Sequence, residues 1–233
     1  MREAVAAGID RHDLNARING EEATVAGGLF PAGSIGHVEE PTLPETDADR
    51  SRDLVAAYAA DGGDPSFELL VPDDATGEAA GAAVREGLGA VGITVAVARQ
   101  GDASLIDQAV AGSTPAVLFR NFASGDPDQA RVWLTGGAAG PLNLGHVDDP
   151  TLDDLFRRGR SEADPGARAA IYQDVDRRLG EQVHAVWLWY QPWAVATAPA
   201  VHGSVAGPPL PAGDEPATAL DTGHPLTELW LAR

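Results

Sequence analysis

The chain contains no cysteine and no lysine among its 233 residues. Without cysteine there is no disulfide, no thiolate metal ligand and no thiol nucleophile. Without lysine, all 16 basic residues are arginine, and with the abundance of Ala, Gly, Asp and Val this composition reflects a GC-rich genome. Positive charge is scarce. Against those 16 arginines stand 35 acidic residues, a net charge of −19 and a pI near 4.4. Such a field repels phosphate backbones and anionic lipid, which sets aside nucleic acid and membrane surfaces as partners. Long apolar runs are missing too. The most apolar stretch, Ala185 to Tyr190, has the length of a strand, and Met1-Arg2-Glu3 leads straight into a helical pattern without a signal-peptide core.

What is present is the composition of an ordinary folded domain, 44% hydrophobic and 22% charged. Apolar residues at Val5, Ile9, Leu14 and Ile18 predict one or two short helices over 2–18. A Gly/Pro-rich loop follows from Asn19 to Thr46. Helix is then predicted over 47–60, strand over 67–71, helix over 76–91, strand over 93–98, a short helix over 105–110 and strand over 116–119. This alternation predicts an α/β layer with a largely parallel sheet. Helices at 151–160 and 166–179 follow, the second opening on Asp164-Pro165. Strands are expected over 183–190 and 193–197, split by Gln191-Pro192. Beyond Pro199 the chain is irregular and Pro/Gly-rich.

Gly87-Leu88-Gly89-Ala90-Val91-Gly92 matches the spacing of a dinucleotide-binding loop. That loop needs a strand before it and a helix after it, so that the helix N-terminus meets the pyrophosphate. Here the order is reversed, and the glycines read as a helix terminator. No phosphate-binding loop, zinc-protease motif or nucleophile elbow occurs. The six histidines (His12, His37, His146, His184, His202 and His224) are scattered, with no ligand pair at helical or strand spacing. Neither a cofactor nor a metal is expected. Asp126 and Asp128 have the composition of an acid/base pair, but a Gly-Asp-Pro-Asp string more often makes a turn and a helix start.

The segment after the third predicted strand carries the densest chemistry. In open α/β sheets ligands bind beyond the carboxyl ends of the strands. Arg120 offers a fork for a carboxylate, Asn121 an amide, Phe122 an aromatic face and Asp126 an acid for an amine, with Trp133 following shortly after. A solvated connection with Trp133 in the core is the competing reading. The cluster Trp187, Trp189, Tyr190 and Trp193 reads as half-buried core, with Trp187 and Trp189 on one strand face; lining a ligand cleft is the alternative.

Five segments in order resemble the family-5 extracellular solute-binding proteins, the peptide and nickel binders of ABC importers. They are Arg2 to Arg11, Asp47 to Ala60, Asn143 to Asp153, Asp164 to Tyr172 and Val183 to Val195. The resemblance implies a periplasmic-binding-protein-like clamp (type II, cluster C), of which this chain matches the later portion. Residues 1–195 would form the C-terminal lobe and 196–233 a return segment belonging to the other lobe. It implies a peptide or other small solute as ligand, ABC permease subunits as partners, no catalysis and an extracytoplasmic location. Membrane attachment would come only through a lipid anchor on a part preceding Met1. The acid that often holds a peptide's amino terminus falls near Ala123 here, so Asp126 is the expected substitute. A non-transport envelope lipoprotein or scaffold binding lipid or glycolipid on the same fold is the alternative. A hydrolase using Asp126 and Asp128 would need the two carboxyls roughly 5–10 Å apart across a cleft.

Overall fold

Most of the described helix starts in this protein are capped by aspartate. The computed structural model describes residues 1–20, 22–121, 125–136, 140, 142–192, 196–203 and 229–231. The first two helices are α1 (Arg2–Gly8) and α2 (Arg11–Asn19), and after a long loop comes α3 (Ala48–Ala60). The Asp10 carboxylate accepts from the N–H groups of His12 and Asp13 at the start of α2, and Asp47 accepts from that of Arg50 at the start of α3. Asp74, Asp126, Asp149 and Asp164 cap four later turns in the same way. Each cap satisfies donors that a helix terminus leaves open. Part of the acidic excess therefore has a local structural use.

The central layer is a three-stranded parallel sheet. β1 (Thr24–Val25) lies outside it; β2 (Ser66–Pro72), β3 (Thr94–Gln100) and β4 (Ala116–Val117) form it in the order β3-β2-β4. Two helices make the crossovers, α4 (Ala75–Gly89) from β2 to β3 and α5 (Asp102–Val110) from β3 to β4. The parallel α/β layer expected from sequence is thus present, although β4 is only two residues long. The glycine run at 87–92 ends α4: Val91 and Ile93 both donate to the Leu88 carbonyl, and Gly92 turns the chain at φ +90°. Only glycine adopts that angle without strain.

The hydrophobic core has two parts. One gathers Ile9, Leu14, Val55, Leu69, Val71, Leu88 and Ile93 between the first three helices, α4 and the sheet. The other lies between α7 (Pro150–Ser161) and α8 (Pro165–Gln182), where Leu152, Phe156, Tyr172, Val175 and Leu179 are almost wholly buried. Full burial of one such side chain contributes about 1.5–3 kcal/mol.

The loop between α2 and α3 is clamped onto α8. Asp176, 2% exposed, accepts from the Leu29 N–H at 2.7 Å and lies 3.4 Å from Thr42 Oγ1. Gln173 donates to the His37 carbonyl at 3.1 Å, and Phe30 enters the second core against Tyr172. Within this loop β1 pairs antiparallel with β5 (Trp189–Tyr190).

The strand expected over 183–190 shrinks to β5 alone. α8 runs on to Gln182, and the chain leaves it through Val183, buried and left-handed at φ 47°. His184 N then donates to the Leu179 carbonyl, so this apolar stretch is first a helix exit and then an extended segment. Its β-branched composition fits a strand, but β1 offers only two residues to pair with. Trp187 is consequently outside the strand. It packs on the second core while Trp189 packs on the first, so the two do not share a strand face, and both are half-buried. Of the strand expected over 193–197, Trp193 to Val195 lie outside the described residues, and Ala196 and Thr197 are not in a strand. β6 (Val201–His202) and β7 (Trp230–Leu231) pair with each other, His202 stacking on Trp230 at 4.6 Å.

Candidate functional site

The order β3-β2-β4 sends one crossover to each side of β2, so the carboxyl ends of β2 and β4 flank the point where the chain direction divides. Such points are where open α/β sheets present their ligand crevice. Two segments leave the sheet there. Pro72 passes into Asp73-Asp74, and the chain after β4 continues the ladder by one bond, Leu118 N to the Leu70 carbonyl at 2.8 Å, before reaching Phe119 and Arg120.

Arg120 and Asp74 meet across this point, Nη2 to Oδ2 at 2.5 Å, both partly exposed. Asp74 also caps α4 through the Gly77 N–H at 2.6 Å. That N–H foremost, and Arg120 after it, hold the Asp74 carboxyl below the usual carboxylate range, although burial opposes them. Beside them Arg99 pairs with Asp73 at 2.6 Å and Glu78 at 3.0 Å. The rim of the sheet is thus a set of half-exposed ion pairs, each of small value to stability.

The other predicted side chains lie further along. Asn121 is exposed and directly follows Arg120; Phe122 falls outside the described residues. Asp126 starts a 3₁₀ turn (Pro127–Ala130) that runs into α6 (Arg131–Leu134). Its Oδ1 accepts from the Asp128 N–H at 2.8 Å, and Arg168 Nη2 reaches Oδ1 and Oδ2 at 2.8 and 3.0 Å. An amine at Asp126 would share the carboxylate with this guanidinium. Trp133 is half-buried, its ring 5.8 Å from that of Phe119, and it also packs on the second core.

Asp126 and Trp133 border one open groove of about 660 Å³, whose other walls include Asp128, Arg131, Arg160 and Arg168. Tyr172 donates to Asp128 Oδ1 at 3.3 Å; burial first, and then the Asp128 carboxylate, push its hydroxyl up to about 12, so it stays a donor. Asp126 and Asp128 are therefore both engaged by cationic or hydroxyl donors, the arrangement of a structural turn. Among the described residues no group of three or more His, Asp or Glu side chains is placed to hold a metal ion. His37 and His146 are spent on backbone carbonyls, Phe30 and Ala109 respectively, and His184 on Asp149.

Sequence reasoning missed Asp74, Arg131, Arg160 and Arg168. Asp74 had a signal, an acid between a strand end and a helix start. Arg168 and Tyr172 sit in the Asp164 to Tyr172 segment already singled out, but nothing local says that they reach across to Asp126 and Asp128.

A three-stranded parallel sheet with helices packed against it is the architecture of a lobe of a periplasmic binding protein. The model of bacterial extracellular solute-binding proteins, family 5, middle region, matches residues 1–141, and the chain belongs to that family. The OppA protein of Burkholderia pseudomallei superposes over 100% of this chain and 45% of its own, with a TM-score of 0.80 at 19% identity. The murein tripeptide-binding protein MppA of Escherichia coli superposes over 87% of this chain and 41% of its own, TM-score 0.75, 18% identity. A peptide-binding protein of a peptide ABC transporter covers 81% of this chain and 88% of its own, TM-score 0.70, 18% identity. These likenesses establish the fold. The chain therefore spans less than half the length of the first two. Comparison with curated protein sequences finds no match.

Proposed function

We propose that this chain is the later lobe of a substrate-binding component of an ABC importer, which takes an oligopeptide-like solute between two lobes and delivers it to permease subunits. The observation that carries this reading is the Arg120–Asp74 pair at the carboxyl edge of the parallel sheet, in a member of a solute-binding family. A cation and an anion set side by side, both reachable by solvent, suit a dipolar ligand whose own charges exchange with theirs. Arg120 would take a carboxylate and Asp74 an amine. Asn121, Phe122, Asp126 and Trp133 would add polar and apolar contact. Lobe closure would then present the loaded clamp to the permease.

In this reading residues 1–195 form the lobe and 196–233 the return to the other lobe. The pairing of β6 with β7, rather than with the parallel sheet, supports that division. The function is capture without bond making or breaking, in an extracytoplasmic setting, as the solute-binding family and its periplasmic structural neighbours suggest. No described helix is long and apolar enough to cross a membrane. A lipid ligand gains no support from a groove bordered by five charged side chains.

The test is a titration of the chain with a panel of short peptides, read by tryptophan fluorescence and by amide NMR around Arg120. Binding by one lobe alone is expected in the millimolar range. Arg120→Gln and Asp74→Asn should each weaken it about tenfold, the value of a charge-assisted hydrogen bond. Peptide binding indifferent to both substitutions would sink the assignment of this edge.

A further inference from the structure

Three positive and two negative side chains meet around the groove beside Trp133: Arg131, Arg160 and Arg168 against Asp126 and Asp128. The protein as a whole carries a net charge of −19, so a local positive excess runs against its composition. The three guanidiniums differ in how far they are committed. Arg168 is engaged: its Nε donates to the Gly159 carbonyl at 3.0 Å, its Nη2 reaches both Asp126 oxygens, and its guanidinium carbon lies 5.0 Å from the centre of the Tyr172 ring. Arg131 is less so. Its Nε stands 3.7 Å from Asp128 Oδ2, and that buried nitrogen makes no hydrogen bond among the described residues. Asp128 meanwhile accepts from Tyr172.

Arg160 has no carboxylate partner among the described residues, whereas Arg157 and Arg158 on the same helix both pair with Asp154. The bond from Arg168 to the carbonyl of Gly159, the residue before Arg160, puts these two arginine positions on one rim. A buried donor without an acceptor is costly. A guanidinium fork is matched by the paired oxygens of a carboxylate or phosphate.

We propose that this groove is an oxyanion site, in which a carboxylate or phosphate group lies between Arg131 and Arg160. The Arg168–Asp126 pair forms its fixed wall and Trp133 its apolar flank. One oxyanion of single charge brings the five side chains to neutrality, meeting the terminal nitrogens of Arg131 while its buried Nε stays beside Asp128. The proposal rests on the solute-binding reading for the source of the oxyanion, as an acidic group of the captured solute, but anion binding itself is measured apart from that reading.

The experiment follows arginine Nε–H resonances of the full chain by NMR during titration with N-acetyl-dialanine, whose terminal carboxylate is its only charge. The C-terminal amide of the same peptide and inorganic phosphate serve as parallel probes, and Arg131→Lys identifies the Arg131 signal by its loss. The acid or phosphate should move the Arg131 signal saturably in the millimolar range, while the amide does not. Arg160→Gln should weaken that response about tenfold, and Arg157→Gln should leave it unchanged. A stronger response to phosphate assigns a phosphorylated group, and a stronger response to the peptide acid assigns a carboxylate. An equal response to the amide, no saturable response to either anion, or a response indifferent to Arg160→Gln overturns the proposal. Peptide binding lost with Arg120→Gln but untouched by Arg160→Gln removes the oxyanion site and keeps the importer reading. Anion binding at Arg160 in a chain whose Arg120 and Asp74 ignore every peptide does the reverse.

Discussion

Asp149 and Arg178 are joined by a hydrogen bond of 2.8 Å from Nε to Oδ2, and the same oxygen lies 3.1 Å from His184 Nε2. Through its other oxygen Asp149 caps α7 by accepting from the N–H groups of Thr151 and Leu152 at 3.0 and 3.3 Å. One carboxylate, 5% exposed, thus ties the start of α7 to α8 and to the chain that leaves it.

Burial alone would raise the Asp149 carboxyl, but the bonds from Arg178, His184 and Leu152 outweigh it and bring the group to about 2. A carboxyl depressed by folding contributes stability that is fully present above its unfolded value of about 4 and is lost as pH falls toward 2. Asp149→Asn should cost about 2–3 kcal/mol at neutral pH and flatten the stability profile between pH values of about 4 and 2. Urea unfolding at several pH values checks both; an unchanged profile would refute the role given to this residue.

Asp176 behaves in the opposite sense. Burial raises its carboxyl, against the bonds from Leu29 and Thr42. Here folding favours the protonated form, so this group's contribution is greatest below about 4 and declines as pH rises above that value. Asp176→Asn, which keeps an acceptor for the Leu29 N–H, is expected to leave stability unchanged or slightly raised at pH near 7. Asp176→Ala leaves that N–H unpaired and should cost about 1–3 kcal/mol. Thermal melts of the two variants side by side distinguish them.

Gly28 packs against that same acid. A Cβ built there lies 2.5 Å from both Asp176 oxygens and 2.7 Å from Thr42 Oγ1, so Gly28→Ala should destabilise the protein by about 2 kcal/mol. Gly89, the last residue of α4, has no neighbour within 4 Å of such an atom, and Gly89→Ala should be stabilising by about 0.5 kcal/mol. Denaturant midpoints of opposite sign are the expected result.

Arg120→Gln removes an exposed ion pair. Stability should move by no more than about 0.5 kcal/mol, so a loss of peptide binding in this variant would report recognition rather than unfolding. Melting temperature and peptide titration on one sample settle the distinction.

The legible parts of the fold were those in which local chemistry and tertiary structure agree. Asp164-Pro165 starts a helix and Gly92 stops one because capping and backbone sterics act within a few residues. The alternation of β2, α4, β3, α5 and β4 follows from periods of two and 3.6 residues. Val183 to Leu188 misled because its apolar, β-branched residues suit a strand equally well as the exit of a helix, and only the short reach of β1 decides between them. The site was half legible for a similar reason. Arg120 stands at a strand end and can be picked out from sequence, whereas its partner Asp74 lies 46 residues earlier and Arg168 lies 42 residues after Asp126. Nothing in either segment encodes the other's position.

The pairing of β1 with β5 also sets a timetable. Thr24 faces Tyr190 and Val25 faces Trp189. During synthesis at about 5–20 residues per second, β1 therefore waits on the order of ten to thirty seconds for its partner to be made. The βαβ unit from Ser66 to Gln100 is made well before then, and its strand ladder, which runs from the Ser66–Thr94 pair to the Pro72–Gln100 pair, needs nothing synthesised later. The nascent chain thus carries its parallel strands before the loop that holds β1 has anything to fasten to, because both α8 and β5 are made later.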